Sequence, residues 1–363
     1  MRSGPQVLVF PAYLNNAFLN LLELSARADG FRVEGAHTYD DLVAGAARLG
    51  RGDTLHVHWT TPIAQQAQSE SEARRRVANL ERIFTGLRSR GAKLVWTIHN
   101  RLPHELTFRE LEVALYRLLA SSADAIHIMA PHTPAAISDV ATVDPRKIRQ
   151  IAHPSYEGVY DTGITCADAR ASFDIAESDR SVLFLGQIRP YKGVDDLARA
   201  AARANDERGG DLVLMLAGAV KEMPRAEFAA SLPASLRTVS QLEFVDDADI
   251  ARWFRAADVA CFPYRAILNS GSLHLAATFR VPVILPGDPF LRDQFAGEAW
   301  VAFFDPAGPE ASIAELLAGD PFAGVTDRDF DAFLAPIAPW DISREYSALL
   351  TSLASAPSSL SRV

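Results

Sequence analysis

The stretch Val182-Leu183-Phe184-Leu185-Gly186-Gln187-Ile188-Arg189-Pro190-Tyr191-Lys192-Gly193 decides how this chain folds. Four apolar residues form a short buried run, a turn bounded by Gly186 and Gly193 follows, and an alanine-rich segment, 194–204, continues with helical character. Strand, glycine-bounded turn and helix in that order are one half of a βαβ unit. The two glycines let the backbone bend and approach a ligand closely. Arg189 offers a planar fork and Lys192 a point charge beside backbone N–H groups at a helix start, a setting that suits a phosphate or diphosphate. The plainer reading is an ordinary strand–helix turn with solvated cations.

Working outward, the same alternation fills the chain. Strands are expected at 6–11, 54–58, 93–99 and 125–129, then at 181–185, 212–217, 259–262 and 281–285. Amphipathic segments separate them; Ala73, Val77, Leu80, Phe84 and Leu87 make a one-sided apolar stripe. Repeated strand–helix alternation implies parallel sheets with helices on both faces. It occurs once on each side of about residue 170, and 363 residues are too many for one core. The expected fold is therefore α/β, two doubly wound Rossmann-like domains facing across a cleft. Segment 154–179, rich in Gly, Ser, Thr and Asp, reads as linker plus a lead-in helix at 167–173, and 340–353 as a final helix.

Composition narrows the function. A net charge of −9 argues against general nucleic-acid binding. Cys166 and Cys261 are the only cysteines and lie far apart, so a disulfide framework is not expected and a cytoplasmic setting is. The apolar run near the N-terminus is too short for a signal peptide, and the longest apolar stretch, 212–220, is too short to span a membrane. Peripheral contact with the inner membrane face is left open by Arg74, Arg75, Arg76, Arg82, Arg88, Arg90 and Lys93, on and after one helix, although such a face is commonly just solvated.

Two further constellations stand just past expected strands, where doubly wound domains place their sites. In Pro263-Tyr264-Arg265-Ala266-Ile267-Leu268-Asn269-Ser270-Gly271-Ser272, Asn269 or Ser270 can cap the next helix, leaving the amides of Ser270, Gly271 and Ser272 as an anion nest. In the N-terminal half, His58-Trp59 and His99-Asn100, with Pro103-His104-Glu105, end their strands. His99 can act as a general base or bond a sugar hydroxyl. His56 and His127, inside strands, read as structural. Metal binding is not expected: His56 and His58 are taken to face opposite ways, no Cys pair accompanies them, and no His-Glu-x-x-His occurs. A Gly-x-Ser-x-Gly elbow is also absent.

The stretch around Gly186 resembles the donor-diphosphate loop of group 1, family 4-like nucleotide-sugar glycosyltransferases of the GT-B fold. Leu214-Met215-Leu216-Ala217-Gly218, Leu242-Glu243-Phe244-Val245-Asp246, the 263–272 loop and Val281-Pro282-Val283-Ile284 follow in that family's order. Trp96-Thr97-Ile98-His99-Asn100 with His58-Trp59 is similar to a subgroup that assembles bacterial exopolysaccharide and related glycans.

The resemblance implies an acceptor-binding domain at 1–165, a donor domain at 166–338 and a tail, 339–363, whose helix crosses back. It implies transfer of a hexose, without a metal or other cofactor, from a UDP- or GDP-linked sugar to a glycan, lipid-linked or small-molecule hydroxyl. Donor contacts are then expected from Gly186, Gln187, Tyr191, Gly218, Phe244, Val245, Tyr264, Asn269, Ser270, Gly271 and Ser272. Acceptor contacts are expected from Asn15, Asn16, His58 and Trp59, and chemistry from His99, Glu105, Arg189 and Lys192. Many family members carry two glutamates before the Pro-Val-Ile strand; here Ile267 and Leu275 occupy those places, and Gln187 stands where an arginine is common. Those departures keep two alternatives alive: a non-catalytic sugar-nucleotide-binding partner of a transferase, and a sugar-nucleotide epimerase of the same fold.

Overall fold

The computed structural model describes residues 4–103, 105–265 and 267–356, so His104 and Ala266 lie outside the described residues. The chain divides into two compact units. One holds the residues up to Pro154 together with those from Ile337 onward; the other runs Ser155–Pro336.

The first unit is built on a parallel sheet of β1 (Gln6–Phe10), β2 (Arg32–Gly35), β3 (Thr54–Val57), β4 (Lys93–Thr97), β5 (Ala125–Ile128) and β6 (Ile148–Gln150), in the order β2-β1-β3-β4-β5-β6. The order reverses between β1 and β3, which opens a crevice at their carboxyl ends. Helix Glu70–Ser89 starts where Ser69 accepts from the Glu72 N–H at 3.2 Å, with Glu70 and Glu72 at its positive end. It buries Ala73, Leu80, Phe84 and Leu87, most of the stripe read from sequence.

The last helix, Pro339–Ser355, packs in this unit against helices Ala17–Leu22 and Leu24–Ala28. Ser343 bridges the break between those two helices: its Oγ accepts from Ser25 N at 2.7 Å and donates to Leu22 O at 3.0 Å. A backbone donor and acceptor orphaned at the break are thereby satisfied.

The second unit repeats the plan with β7 (Arg180–Leu185), β8 (Leu212–Ala217), β9 (Arg237–Gln241), β10 (Val259–Cys261), β11 (Val283–Pro286) and β12 (Val301–Phe304). Their order is β12-β11-β10-β7-β8-β9, all parallel, so the switch point lies between β7 and β10. Every residue of β8 is buried, which at roughly 1.5–3 kcal/mol for a large apolar side chain makes it a main contributor to this core. Helix Val194–Arg208 ends at Gly209 with φ +84°, the left-handed conformation that stops a helix.

All eight strands expected from sequence form, and β2, β6, β9 and β12 are additional. The lead-in helix forms at Cys166–Ala171. Segment 155–165, placed with the first half by sequence, packs in the second unit. Tyr156 N donates to Thr278 Oγ1 at 3.0 Å, and the Tyr160 ring stands 6.3 Å from that of Phe279. Among the described residues no helix is long and apolar enough to cross a membrane.

Candidate functional site

In the second unit the loops after β7 and β10 meet at the switch point. Gly186 has φ +141° and Gly218, ending β8, φ +146°. Gly186 N donates to Ala217 O at 2.8 Å, Ile188 N to Ala219 O at 2.9 Å and Lys221 N to Ile188 O at 2.9 Å, so the loop 186–188 runs alongside the loop after β8. The turn Pro190–Lys192 ends at Gly193, φ +64°, where a Cβ would fall 2.2 Å from Pro263 O. Only glycine fits there, and this close approach joins the two loops.

Lys192 folds back toward Gly186. A Cβ on Gly186 would lie 3.3 Å from Lys192 Nζ and 3.8 Å from Ser272 Oγ, so both groups face the same bare stretch of backbone. The ammonium stands 5.1 Å from the centroid of the Tyr264 ring and 5.9 Å from that of Phe184. Burial holds the Lys192 pKa below its usual value. Burial likewise pushes Tyr264 up to about 12, while its hydroxyl bonds the side chains of Ser272 and Ser270. Ser270 caps helix Gly271–Thr278, accepting from Leu273 N at 3.3 Å. One ammonium, two serine hydroxyls, a phenol and a helix N-terminus thus gather at one place, a combination suited to a diphosphate.

The start of helix Val194–Arg208 has a different occupant. Its first turn carries Asp195 and Asp196, and Arg265 donates to Asp195 at 3.0 Å and to Asp196 at 2.7 Å. Carboxylates already meet that positive helix end, so the expectation of a phosphate on those amides moves to Lys192 and the 270–272 segment. Arg189, the other expected cation, donates to Glu222 Oε1 at 2.6 Å and to Gln187 Oε1 at 3.1 Å. Tyr191 is half-buried and its carbonyl accepts from Arg265 N at 2.9 Å. In the 242–246 loop Val245 is buried while the Phe244 ring is 70 % exposed, its carbonyl held by Gln241 Nε2 at 3.0 Å. Asn269 is half-buried beside the Ser270 cap. His274 is turned inward: it donates from Nδ1 to Ser270 O at 2.9 Å, and burial lowers its pKa to about 4.

In the first unit the loops after β1, β3 and β4 bring aromatic rings together. His58 N donates to Phe10 O at 2.7 Å, joining the ends of β1 and β3 across the switch point. His58 Nδ1 and His99 Nε2 are 3.0 Å apart, sharing one hydrogen. His99 stacks on Trp59 with centroids 4.1 Å apart, Trp59 meets Tyr13 at 5.4 Å, and Phe18 presents its edge to His99 at 5.4 Å. Burial, reinforced by neighbouring imidazoles, holds His58 and His99 well below the usual histidine pKa, so both are neutral at pH 7. A neutral imidazole suits hydrogen bonding to a hydroxyl.

The expectation that His56 and His58 face opposite ways is corrected: their rings pack side by side with centroids 3.9 Å apart and planes tilted by 37°. Residues two apart on a strand share a face, and His58 continues the line of β3. Among the described residues no group of three His, Cys, Asp or Glu side chains could hold a metal ion. Asn16 is the N-cap of helix Ala17–Leu22, accepting from Leu19 N at 3.1 Å, whereas Asn15 and Glu105 are exposed. Of the basic cluster, Arg76 is engaged by Glu72, Pro62 O and the Tyr39 ring, and Arg90 by Leu49 O and Ala46 O. Arg74 pairs with Glu70, and Arg75, Arg82 and Arg88 are exposed.

Sequence reasoning passed over Thr97, Tyr346 and Phe18 around the histidines, and Glu222 beside Arg189. Thr97 was findable: it lies two residues before His99 and so shares its face. Tyr346 and Glu222 come from distant segments and left no local signal.

Residues 179–317 match the family model described as glycosyl transferases group 1. The chain is similar to a protein of Xanthomonas campestris pv. campestris named GDP-mannose:glycolipid 4-beta-D-mannosyltransferase, 27 % identical over 280 residues, 75 % of this chain and 72 % of that one. It is also similar to a D-inositol 3-phosphate glycosyltransferase of Mycolicibacterium vanbaalenii, 26 % identical over 56 % of this chain and 48 % of that one. Among solved structures, sucrose-phosphate synthase from Thermosynechococcus elongatus superposes with TM-score 0.73 at 17 % identity, covering 98 % of this chain and all of that one. HepE of Anabaena, solved with UDP, superposes with TM-score 0.70 at 13 % identity over 96 % of this chain and all of that one.

Proposed function

We propose that the chain is a group 1 glycosyltransferase of the GT-B fold that moves a hexose from a UDP- or GDP-linked sugar to a hydroxyl of a glycan or lipid-linked acceptor. The observation that carries this reading is the convergence of Lys192 Nζ and Ser272 Oγ on Gly186, at the switch point of the second unit. In the reaction the bond from the anomeric carbon to the diphosphate oxygen breaks and a bond from the acceptor oxygen forms. Negative charge grows on the departing diphosphate. Lys192, the Ser272 hydroxyl and the amides at the start of helix Gly271–Thr278 would meet it without a resident metal ion.

The exposed Phe244 ring of the same unit is the proposed platform for the base. In the first unit His99, neutral and stacked on Trp59, is proposed to bond a substrate hydroxyl. The acceptor proton would pass to His99 or Glu105 if the anomeric centre inverts. The similarity to a mannosyltransferase acting on a glycolipid favours GDP-mannose as the first donor to try and a lipid-linked acceptor. For such an acceptor, exposed Arg75, Arg82 and Arg88 are the proposed contacts to anionic headgroups.

The test is calorimetric titration with GDP, UDP, GDP-mannose and UDP-glucose, followed by product analysis with glycolipid acceptors. Binding of a nucleoside diphosphate together with sugar transfer is the expected result. Binding without turnover on any acceptor would favour a non-catalytic partner, and isomerised donor without acceptor an epimerase.

A further inference from the structure

Deep in the first unit four side chains form one hydrogen-bonded row. Tyr346 OH lies 2.6 Å from His56 Nδ1, His56 Nε2 lies 2.7 Å from Thr97 Oγ1, and Thr97 Oγ1 lies 2.9 Å from His127 Nδ1. His127 Nε2 lies 2.9 Å from Ile151 O and closes the row. All four side chains are fully buried.

The far end fixes its direction. A carbonyl oxygen only accepts, so His127 carries its hydrogen on Nε2, and the neutral ring accepts at Nδ1. Thr97 therefore donates to His127 and accepts from His56 Nε2–H. His56 in turn accepts at Nδ1 from the Tyr346 hydroxyl. Every proton in the row is thereby placed, running from the last helix across the ends of β3, β4 and β5.

The row adjoins the His58–His99 pair. The His56 ring packs against His58 with centroids 3.9 Å apart and planes tilted by 37°; His58 shares a hydrogen bond with His99, and His99 stacks on Trp59. We propose that Tyr346, His56, Thr97 and His127 are positioning residues that lock the His58–His99 pair in one orientation toward a substrate hydroxyl. That role rests on the reading of His99 as a substrate contact. An apolar filling of the same space would need no exact pairing, whereas this row keeps four buried polar groups satisfied only in one arrangement.

Charged and titratable neighbours favour the same neutral arrangement. His56 faces His58 and His127; His99 faces His127, His56 and His153; Tyr346 faces Glu23. Burial keeps each imidazole uncharged and the Tyr346 phenol protonated.

The experiment is NMR of the full chain carrying imidazole-15N histidine, which needs no donor or acceptor. His56 and His127 should both read as Nε2–H tautomers. Thr97→Val removes the central hydroxyl; the His58 and His99 ring signals should shift and broaden, and Thr97→Ser should return them. Tyr346→Phe cuts the other end and should move the same signals, so it decides the matter if Thr97→Val does not fold. Folded Thr97→Val or Tyr346→Phe with unchanged His58 and His99 signals would overturn the proposal, as would an Nδ1–H tautomer at His127. Where transfer from GDP-mannose is measurable, Thr97→Val should lower kcat about 10-fold with KM little changed, as expected for lost orientation. Absence of any transfer with an intact NMR response would sink the reading of His99 while leaving the row in place.

Discussion

A Cβ placed on Gly218 would lie 2.0 Å from the carbonyl oxygen of Gly186. β7 and β8 run in register to Leu185 and Ala217 and then both turn through glycine at positive φ. The ends of two neighbouring strands are thus left bare beside the switch point, which gives Lys192 and Ser272 room to face the backbone. Gly218→Ala should force the Gly186 carbonyl aside and strain a backbone that L-residues avoid. We expect a loss of about 3 kcal/mol in urea denaturation and weakened GDP or UDP binding. Gly297→Ala, where an added Cβ meets nothing within 4 Å, is the control. Equal stability of the two variants would refute this account of the turn.

Lys192→Ala removes the one ammonium at that turn without touching a hydrogen bond of the sheet. Turnover should drop about 100-fold or more, the loss typical of removing a group that stabilises developing negative charge. Thermal denaturation should stay close to the parent, because the desolvation cost of the buried ammonium offsets what its packing on the Tyr264 and Phe184 rings contributes. Near-normal turnover in the folded variant would sink the diphosphate assignment.

The legible parts of this fold were the ones buried on both faces. β1, β3, β4, β5, β7, β8, β10 and β11 lie inside their sheets or near their centres and read as apolar runs. The strands missed, β2, β6, β9 and β12, are the edges of the two sheets. Arg32-Val33-Glu34 and Arg237-Thr238-Val239-Ser240 show why: half-exposed edge strands carry charges that break the run. The site was legible where one segment supplies it, as with Gly186, Lys192 and Ser270. Pairings between distant segments, Arg189 with Glu222 and His56 with Tyr346, were not. His56 and His58 were misread for another reason, since a two-residue spacing places them on one face.

Glu222 holds Arg189 in an ion pair at 2.6 Å, with the Arg189 side chain only 15 % exposed. A diphosphate arriving at the neighbouring turn would have to compete with that carboxylate for the guanidinium. Glu222→Gln should therefore tighten GDP or UDP binding by a few fold and steepen its dependence on salt. Unchanged affinity by calorimetry would mean that Arg189 serves the loop 186–188 and not the ligand.

Acid should destabilise this protein well above the carboxylate range. His56, His58 and His99 are held well below the usual histidine value of 6.5, and His127 and His274 near 4, by burial above all. In the unfolded chain the same rings bind protons near pH 6.5. Between there and about pH 4 the unfolded state carries more protons than the folded one, so stability falls as pH falls. Each such imidazole contributes a slope of about 1.4 kcal/mol per pH unit. Glu23 and Glu112, raised by burial, act in the opposite direction above their usual range, but two carboxyls oppose five histidines. Urea denaturation at pH 7.5, 6.5 and 5.5 should therefore show a modest loss over the first interval and one roughly three times larger over the second. A flat profile to pH 5.5 would mean that these rings are charged, or reached by water, in the folded protein.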